Sequence, residues 1–191
     1  MAISTYAELK TAVETWSQRG TAVTALVPDF IRLAESQIRN DIRVRAMVQT
    51  STGTLSGTSV ALPTRFAQVI SVLINTDPVY YVDPTQWSEL SDSAADRFTI
   101  IGETMYFKAG GDYSIEYYQW FADLSDDADT NWLLTNFPDV YLFGALAECS
   151  VWTRDDPTVW RDRYMASVRK VHNTNRNSVG SPTVRPNGLV V

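Results

Sequence analysis

The sequence has few of the residues from which enzymes build metal sites and nucleophilic sites. It contains one cysteine, Cys149, and one histidine, His172, among 191 residues. It can therefore form no internal disulfide and no zinc site of Cys and His ligands, and Ser-His-Asp or Cys-His catalysis would need His172. The glycine motifs of nucleotide-binding and serine-hydrolase sites do not occur either. Most enzyme classes are therefore poor fits to this sequence.

Long hydrophobic runs are also missing. The apolar runs are short, such as Val140–Leu142, whereas a membrane-spanning helix needs about 18 apolar residues. No basic leader precedes an apolar core at the N-terminus, so we expect no secretory signal and no membrane partner. With 45% hydrophobic and 20% charged residues, the composition is that of an ordinary globular fold. The length suits one domain, or one domain that carries an inserted lobe.

Charge is distributed unevenly along the chain. Residues 77–156 carry 16 acidic and 3 basic side chains, whereas residues 157–191 carry 6 basic side chains and 1 acidic side chain. The acidic middle would repel nucleic acid, and the basic C-terminal part could dock on an acidic surface. The alternative is that solvated faces of the protein simply differ in sign.

Two helices are predicted before residue 46. Thr5 and Glu8 have the spacing of a capping box, and apolar residues then recur at helical spacing as far as Trp16. Pro28 in a first turn beside Asp29 begins a second amphipathic helix of about 17 residues, which ends near Arg45. The charged residues that we assign to the solvent-exposed face of this second helix are Arg32, Glu35, Arg39, Asp41 and Arg43.

Two further helices are predicted after residue 130. Pro138 and Asp139 begin a helix that is apolar almost all round, which is typical of the centre of a bundle. Cys149 on this helix is interpreted as a small core residue. The last helix follows Pro157, and we place His172 near its end as a solvated residue. Beyond Asn173 the composition is that of a polar tail.

The middle of the chain has the pattern of β-structure. Thr50–Leu55, the turn pair Ser56-Gly57 and Ser59–Leu62 predict a hairpin, and Phe98–Ile101 with Thr104–Lys108 predict another. Asp83 and Pro84 have the pattern of a cap and first turn of a short helix. Turn signals every 8–12 residues favour a small antiparallel sheet or a barrel-like lobe.

These elements predict an α+β fold. The simplest arrangement is a four-helix bundle formed by residues 1–46 and 131–173, with an antiparallel β lobe inserted between its second and third helices. Residues 47–130 then hold the β lobe and an acidic loop, and residues 174–191 form an extended C-terminal arm.

Two kinds of chemical site were considered and not favoured. Asp127, Asp129 and Asn131 match the opening of an EF-hand loop, but Trp132 stands where the loop needs glycine and Pro138 where it needs glutamate. We therefore interpret this segment as a solvated loop that caps a helix. The adjacent pairs Asp126-Asp127 and Asp155-Asp156 cannot converge on one point as catalytic carboxylates do.

One block of sequence carries a family resemblance. Residues 131–146, which run Asn-Trp-Leu-Leu-Thr-Asn-Phe-Pro-Asp-Val-Tyr-Leu-Phe-Gly-Ala-Leu, resemble the head-to-tail adaptors of short-tailed bacteriophages, the tail tubular protein A-like connectors. The resemblance covers residues 1 to about 170 in the same order. The supporting segments are Tyr6–Lys10, Pro28–Ile31, Ala34-Glu35, Ile38-Arg39 and Ser59–Pro63.

The resemblance implies a structural protein of the virion, made in the cytoplasm of the bacterial host and located at the junction of capsid and tail. For such a connector we expect no catalysis, no cofactor and no obligatory metal. It implies a homo-oligomeric ring of this chain, commonly of twelve subunits, bound beneath the portal protein. The ring would prolong the DNA channel and form the attachment platform for the tail or nozzle protein. Genomic DNA would pass through the lumen without sequence-specific binding.

The resemblance also directs attention to two sets of residues. A C-terminal arm that docks on the portal is a family expectation, and a polar segment with an apolar end can become ordered against a partner. The arm residues expected to dock are Arg176, Arg185, Leu189, Val190 and Val191. Acidic side chains would suit the wall of a DNA channel because like charge removes the gain from counterion release. The residues expected near the lumen are Asp112, Glu116, Asp123, Asp126, Asp127 and Asp129.

Two other functions remain as alternatives. The first is a carbohydrate- or receptor-binding module of a virion, in which Tyr80, Tyr81, Trp87 and Trp120 form a stacking surface. The second is a hydrolase that uses Glu103 and Glu116 or the loop aspartates. It lacks any pair of carboxylates at a recognisable spacing.

Overall fold

The computed structural model describes residues 3–91 and 94–177 and shows an α+β fold. The chain divides into two compact units. Of the described residues, 3–45 and 122–177 form the helical unit, and 46–91 and 94–121 form the β unit. Among the described residues, no helix is long and apolar enough to cross a membrane.

The secondary structure follows the chain in this order. The helices are α1 (Tyr6–Ser17), α2 (Thr21–Thr24), α3 (Val27–Asp41), α4 (Pro84–Trp87), α5 (Trp132–Asn136), α6 (Pro138–Thr153) and α7 (Thr158–Asn177). The strands are β1 (Val48–Thr54), β2 (Ser59–Ala61), β3 (Phe66–Ile74), β4 (Asp77–Pro78), β5 (Tyr80–Tyr81), β6 (Arg97–Ile101), β7 (Thr104–Phe107) and β8 (Asp112–Gln119). Residues Arg45–Met47 form a 3-10 turn before β1.

The four long helices, α1, α3, α6 and α7, begin where the sequence predicts. Thr5 caps α1, since its side chain accepts a hydrogen bond from the Glu8 amide while the Glu8 side chain accepts one from the Thr5 amide. Pro28 lies in the first turn of α3, and Pro138 lies in the first turn of α6. α3 ends at Asp41, four residues before the predicted end, because the backbone of Ile42 is extended. The sequence analysis did not identify the short helices α2 and α5.

α6 is the central helix of its unit. It packs against α1, α3, α5 and α7, and so it buries residues on every side, as its apolar sequence predicts. Gly144 lies at a close contact of α6 with α3, because a Cβ atom there would stand 3.0 Å from the Cβ of Ala34 on α3. Cys149 is a buried core residue, as predicted.

The β unit contains two four-stranded sheets. The strand order is β1-β8-β3-β4 in the first sheet and β2-β7-β6-β5 in the second. The predicted hairpin of β6 and β7 is confirmed, with Phe98 opposite Phe107. The predicted hairpin of Thr50–Leu55 with Ser59–Leu62 is wrong, because β1 pairs with β8 and β2 pairs with β7.

The sequence analysis expected a purely antiparallel β unit, and one pair of strands departs from that prediction. β5 and β6 are parallel. Parallel neighbours need a crossover connection, and α4 lies on that connection, with Asp83 accepting a hydrogen bond from the Thr85 amide at its start. The core of this unit is apolar and contains Leu55, Val72, Ile74, Val79, Phe98, Met105, Phe107, Ile115 and Tyr117.

Two predicted boundaries differ from the observed ones. The acidic loop was expected to belong to the β lobe up to residue 130, but from Ala122 onward it belongs to the helical unit. Two of its carbonyl groups accept hydrogen bonds from the first turn of α1, as described below. The C-terminal arm was expected to start at residue 174, but α7 continues to Asn177. Near the end of α7, the Asn175 side chain accepts a hydrogen bond from the Arg45 amide at 2.8 Å.

Candidate interaction surfaces

The acidic loop, residues 122–131, is ordered by hydrogen bonds from its own side chains. Asp129 Oδ2 accepts hydrogen bonds from the amides of Ser125 (2.8 Å) and Asp126 (2.7 Å). Asn131 Nδ2 donates to the carbonyl oxygen of Ala122 (2.8 Å) and to the hydroxyl of Tyr141 (2.9 Å). The loop is therefore a compact turn with a defined shape. The amides of Asp126 and Ser125 donate hydrogen bonds to the charged carboxylate of Asp129, and so they lower the pKa of this group.

The acidic loop is also held against α1 and α3. The Tyr6 amide donates to the carbonyl oxygen of Asp129 at 2.9 Å, and the Ala7 amide donates to that of Asp127 at 3.1 Å. These two amides belong to the first turn of α1, where backbone donors lack partners within the helix. On the surface, Lys10 pairs with Asp127 at 2.6 Å, and Arg39 pairs with Asp123.

Glu35 of α3 is buried, although the sequence analysis placed it on the solvent-exposed face. Instead of lying in solvent it is 8% exposed, because the acidic loop covers it and the Leu124 amide donates to its Oε1 at 3.1 Å. Burial raises the pKa of Glu35 to about 7, although the Leu124 amide opposes this shift. The nearby Asp123 carboxylate raises this pKa further, and Arg39 and Arg32 lower it.

The other two acidic candidates, Asp112 and Glu116, lie on β8 in the β unit. Asp112 is exposed and accepts a hydrogen bond from the Thr54 hydroxyl at 2.6 Å. Glu116 is half-buried and accepts one from the Ser71 hydroxyl at 3.2 Å. Being four residues apart, they share one face of the strand at about 13 Å from each other along it. That separation is too long for a pair of catalytic carboxylates.

The six acidic candidates therefore fall into two separate groups. Asp112 and Glu116 belong to the β unit, and the other four belong to the helical unit. In the described part of the chain, no cluster of three or more His, Cys, Asp or Glu side chains has the geometry to hold a metal ion. Asp129, a ligand in the calcium interpretation, serves instead as the cap of its own loop.

The candidate docking residues of the C-terminal arm are described only in part. Arg176 is exposed and lies in the last turn of α7. Arg185, Leu189, Val190 and Val191 lie outside the described residues. His172, which we predicted to be solvated, is half-buried, and its Nε2 lies 3.0 Å from the carbonyl oxygen of Asp41 at the end of α3.

The aromatic residues of the alternative stacking surface differ in exposure. Tyr80 and Tyr81 on β5 are 57% and 53% exposed, whereas Trp87 and Trp120 are half-buried. Lys108 Nζ lies 4.8 Å from the centroid of the Trp87 ring, so this ring already has a cationic partner.

The structure brings together a set of aromatic residues that the sequence analysis did not combine. Trp16 of α1, Phe143 of α6 and Trp160 of α7 have ring centroids 6.1–6.2 Å apart. They stand beside a groove of about 500 Å³ between α1 and α7, which is called here the α1–α7 groove. Its lining includes Trp16, Arg19, Leu146, Cys149, Ser150 and Trp160. Trp16 and Trp160 could be identified as apolar stripe residues, but their partial exposure could not.

Comparison with known protein families shows the family to which this chain belongs. The family model described as "SU10 adaptor protein" matches residues 4–186. The chain belongs to the SU10 adaptor protein family. A search of curated proteins found no match.

Membership of the SU10 adaptor family gives this chain a structural role as a phage adaptor, located in the virion and associated with other virion components. This confirms the resemblance to phage adaptors at the level of the head-to-tail adaptor role. The family favours a non-enzymatic protein, and it does not favour a carbohydrate-binding module. In this SU10 adaptor the surfaces above are therefore candidates for protein contacts.

Proposed function

We propose that this SU10 adaptor is a head-to-tail connector that forms a ring beneath the portal, extends the DNA channel and provides the platform for the tail or nozzle. The observation that carries the proposal is the family match over residues 4–186. The proposal keeps the finer resemblance to the tail tubular protein A-like connectors, with a ring commonly of twelve copies. A closed ring needs two different faces on each subunit, since each copy meets the next in a heterologous contact.

The proposed architecture is a four-helix bundle of α1, α3, α6 and α7 into which the β unit is inserted. Two observations support it. α6 packs against the other three long helices, and the β unit occupies one continuous stretch of chain between α3 and the acidic loop. The proposed task of the helical unit is to form the ring, and that of the β unit is to contact tail proteins.

The acidic candidates are proposed to approach the lumen. Asp112, Asp123, Asp126 and Asp127 are exposed, and like charge on a channel wall would let DNA phosphates slide past without binding. In an image of assembled particles at side-chain resolution, we expect some of the six residues to face the lumen. All six facing outward would contradict this part of the proposal.

The C-terminal arm is proposed to dock on the portal through Arg176, Arg185 and the apolar end Leu189–Val191. Removing residues 178–191 should abolish retention of DNA by filled capsids while leaving the helical unit folded. The cut falls after α7, so it preserves the hydrogen bond between Asn175 and the Arg45 amide. The measurements are packaged DNA per particle and the thermal melting of the purified protein.

A matched pair of full-length variants controls for chain length. Changing Leu189, Val190 and Val191 together to serine should reproduce the loss, because it removes the apolar contact without shortening the arm. The single change Ser181→Ala should retain packaged DNA. Normal DNA retention by the truncated protein, with its melting temperature unchanged, would contradict the docking role.

A further inference from the structure

The acidic loop covers a carboxyl group that lies on the apolar side of α3. Ile31 and Ile38, four residues before and three residues after Glu35, are both buried, so Glu35 shares their side of the helix. Leu124 of the loop is also buried, and its amide donates to Glu35 Oε1 at 3.1 Å. The loop and α3 thus enclose the carboxyl group among apolar side chains.

Cations near Glu35 are shared with acidic groups of the loop. Arg39 pairs with Asp123, and Lys10 pairs with Asp127. Burial outweighs the nearby guanidinium groups and raises the pKa of Glu35 to about 7. The titratable and charged groups on the elements packed around Glu35 are Tyr6 and Lys10 of α1, Arg32 and Arg39 of α3, Tyr141 of α6, and Asp123 and Asp127 of the loop.

The contacts that hold the acidic loop against α1 and α3 lie mainly at the surface. The carbonyl oxygens of Asp127 and Asp129 accept hydrogen bonds from the first turn of α1. In the ion pairs, the acidic partners Asp123 and Asp127 are exposed, and exposed ion pairs contribute little to stability. Asp129 ties the amides of Ser125 and Asp126 together, so the loop can leave the helices as one piece. A segment held in this way is typical of those that open locally without global unfolding.

We propose that the acidic loop is a latch, which is closed over a protonated Glu35 and opens locally when Glu35 ionises. A protonated carboxyl group can accept the hydrogen bond from Leu124 and still lie among apolar side chains, whereas a carboxylate in the same place has lost its water. Opening of the loop returns water to the carboxylate and leaves α1, α3 and α6 folded. The latch belongs to the helical unit alone and does not depend on the connector role.

The latch opens as the pH rises. The closed loop raises the pKa of Glu35 from 4.5 to about 7, and in the open loop the hydrated group returns to its ordinary value. Below pH 4.5 both states hold the proton, so the closed state has its full stability. Between pH 4.5 and pH 7 the open state binds fewer protons, so opening becomes more favourable by about tenfold per pH unit, to at most about 300-fold. Above that range both states are ionised, and the opening equilibrium no longer changes.

Native-state hydrogen exchange of the full-length protein tests the latch. After correction for the intrinsic exchange rate, protection of the Leu124 amide should fall by about tenfold per pH unit between about pH 5 and pH 7, and level off by about pH 8. At each pH, low concentrations of urea should hardly change this exchange, because local opening exposes little surface. Exchange of the Leu146 amide in the middle of α6 should depend steeply on urea.

Two results of this measurement would overturn the proposal. The first is exchange of the Leu124 amide with the same urea dependence as the Leu146 amide, since unfolding of the whole unit would then be needed to expose it. The second is protection of the Leu124 amide that does not change with pH. Both results come from the wild-type protein and need no substitution.

A pair of variants assigns the pH dependence to one residue. Glu35→Gln removes the titrating group and retains an oxygen that can accept the hydrogen bond from Leu124, so protection of the Leu124 amide should be independent of pH. The matched control Glu148→Gln changes a half-buried glutamate of α6 and should keep the pH dependence of the wild type. A pH dependence that persists in Glu35→Gln would overturn the role of Glu35.

Proteolysis at a fixed pH provides a second readout. Endoproteinase Asp-N cuts before aspartate, and the acidic loop contains four aspartates. At pH 8, the first cuts should fall in the loop, and the wild type and Glu148→Gln should be cleaved there about tenfold or more faster than Glu35→Gln. Equal rates of loop cleavage in the wild type and Glu35→Gln would contradict the latch.

Discussion

Replacing Gly144 with valine is expected to destabilise the helical unit by about 1–3 kcal/mol, the usual cost of overpacking a core. A Cβ atom at this position would lie 3.0 Å from the Ala34 Cβ and 3.4 Å from the Tyr164 Cδ2. The hydrogen bonds from the Tyr164 hydroxyl and from His172 to Asp41 hold α7 against α3. Neither helix can move aside without disturbing those contacts, so the added methyl groups have no space.

The measurement is urea unfolding, with hydrogen exchange of α6 amides to assign the transition to the helical unit. Ala166→Val on the exposed side of α7 controls for the cost of β-branching in a helix, which is about 0.5 kcal/mol. Glycine inside a helix is normally less stable than a residue with a side chain. A Gly144→Val protein as stable as the wild type would therefore show that the three helices pack less closely than the structure indicates.

The four long helices of this fold, α1, α3, α6 and α7, could be predicted from the sequence because their signals are local. The capping box at Thr5 and the prolines at positions 28 and 138 fix where helices begin, and α6 could be recognised as the central helix from its composition. Each signal depends on residues within one or two turns. The predicted end of α3, near Arg45, lies four residues beyond the observed one, because the basic residues after Asp41 continue an amphipathic pattern that the backbone does not follow.

The pairing of strands could not be predicted in the same way. β1 and β2 flank the turn pair Ser56-Gly57, which is typical of a hairpin, yet β1 pairs with β8, about sixty residues later in the chain. The amide of Leu55 donates to the carbonyl oxygen of Gly111, and its side chain is part of the β-unit core. Burial of such residues depends on the whole unit, which local turn signals do not report.

The environment of the candidate residues depended on contacts far apart in sequence. Glu35 fits the polar face of α3 by spacing, and only the return of the chain at Leu124 buries it. Trp16, Phe143 and Trp160 form one cluster although three different helices carry them. Sequence analysis could identify the residue types of these sites, but not which residues lie together.

Substituting Glu35 with glutamine is expected to stabilise the protein at pH 8 and to have little effect near pH 4. Burial raises the pKa of Glu35 from 4.5 to about 7. The native protein therefore binds a proton on Glu35 more tightly than the unfolded chain does. The stability that this protonation contributes to the native state is fully present below pH 4.5, and it is lost as the pH rises through about 7. Above that pH the buried carboxylate costs at most about 3 kcal/mol, because each pKa unit corresponds to about 1.4 kcal/mol and solvent screens part of the interaction.

Glutamine removes this cost because it is neutral at every pH and retains an oxygen that can accept the hydrogen bond from the Leu124 amide. Between pH 5 and pH 8, we expect the free energy of unfolding to fall more steeply for the wild type than for Glu35→Gln. The measurement is the urea midpoint of each protein at the two pH values. Glu8→Gln on α1 is the matched control, since hydrogen bonds from Ser4 and Thr5 lower the pKa of Glu8. Its carboxylate stabilises the fold at neutral pH, so this substitution should weaken the protein there. Equal pH profiles for the wild type and Glu35→Gln would show that Glu35 is charged and solvated in the native protein, and that the acidic loop does not cover it.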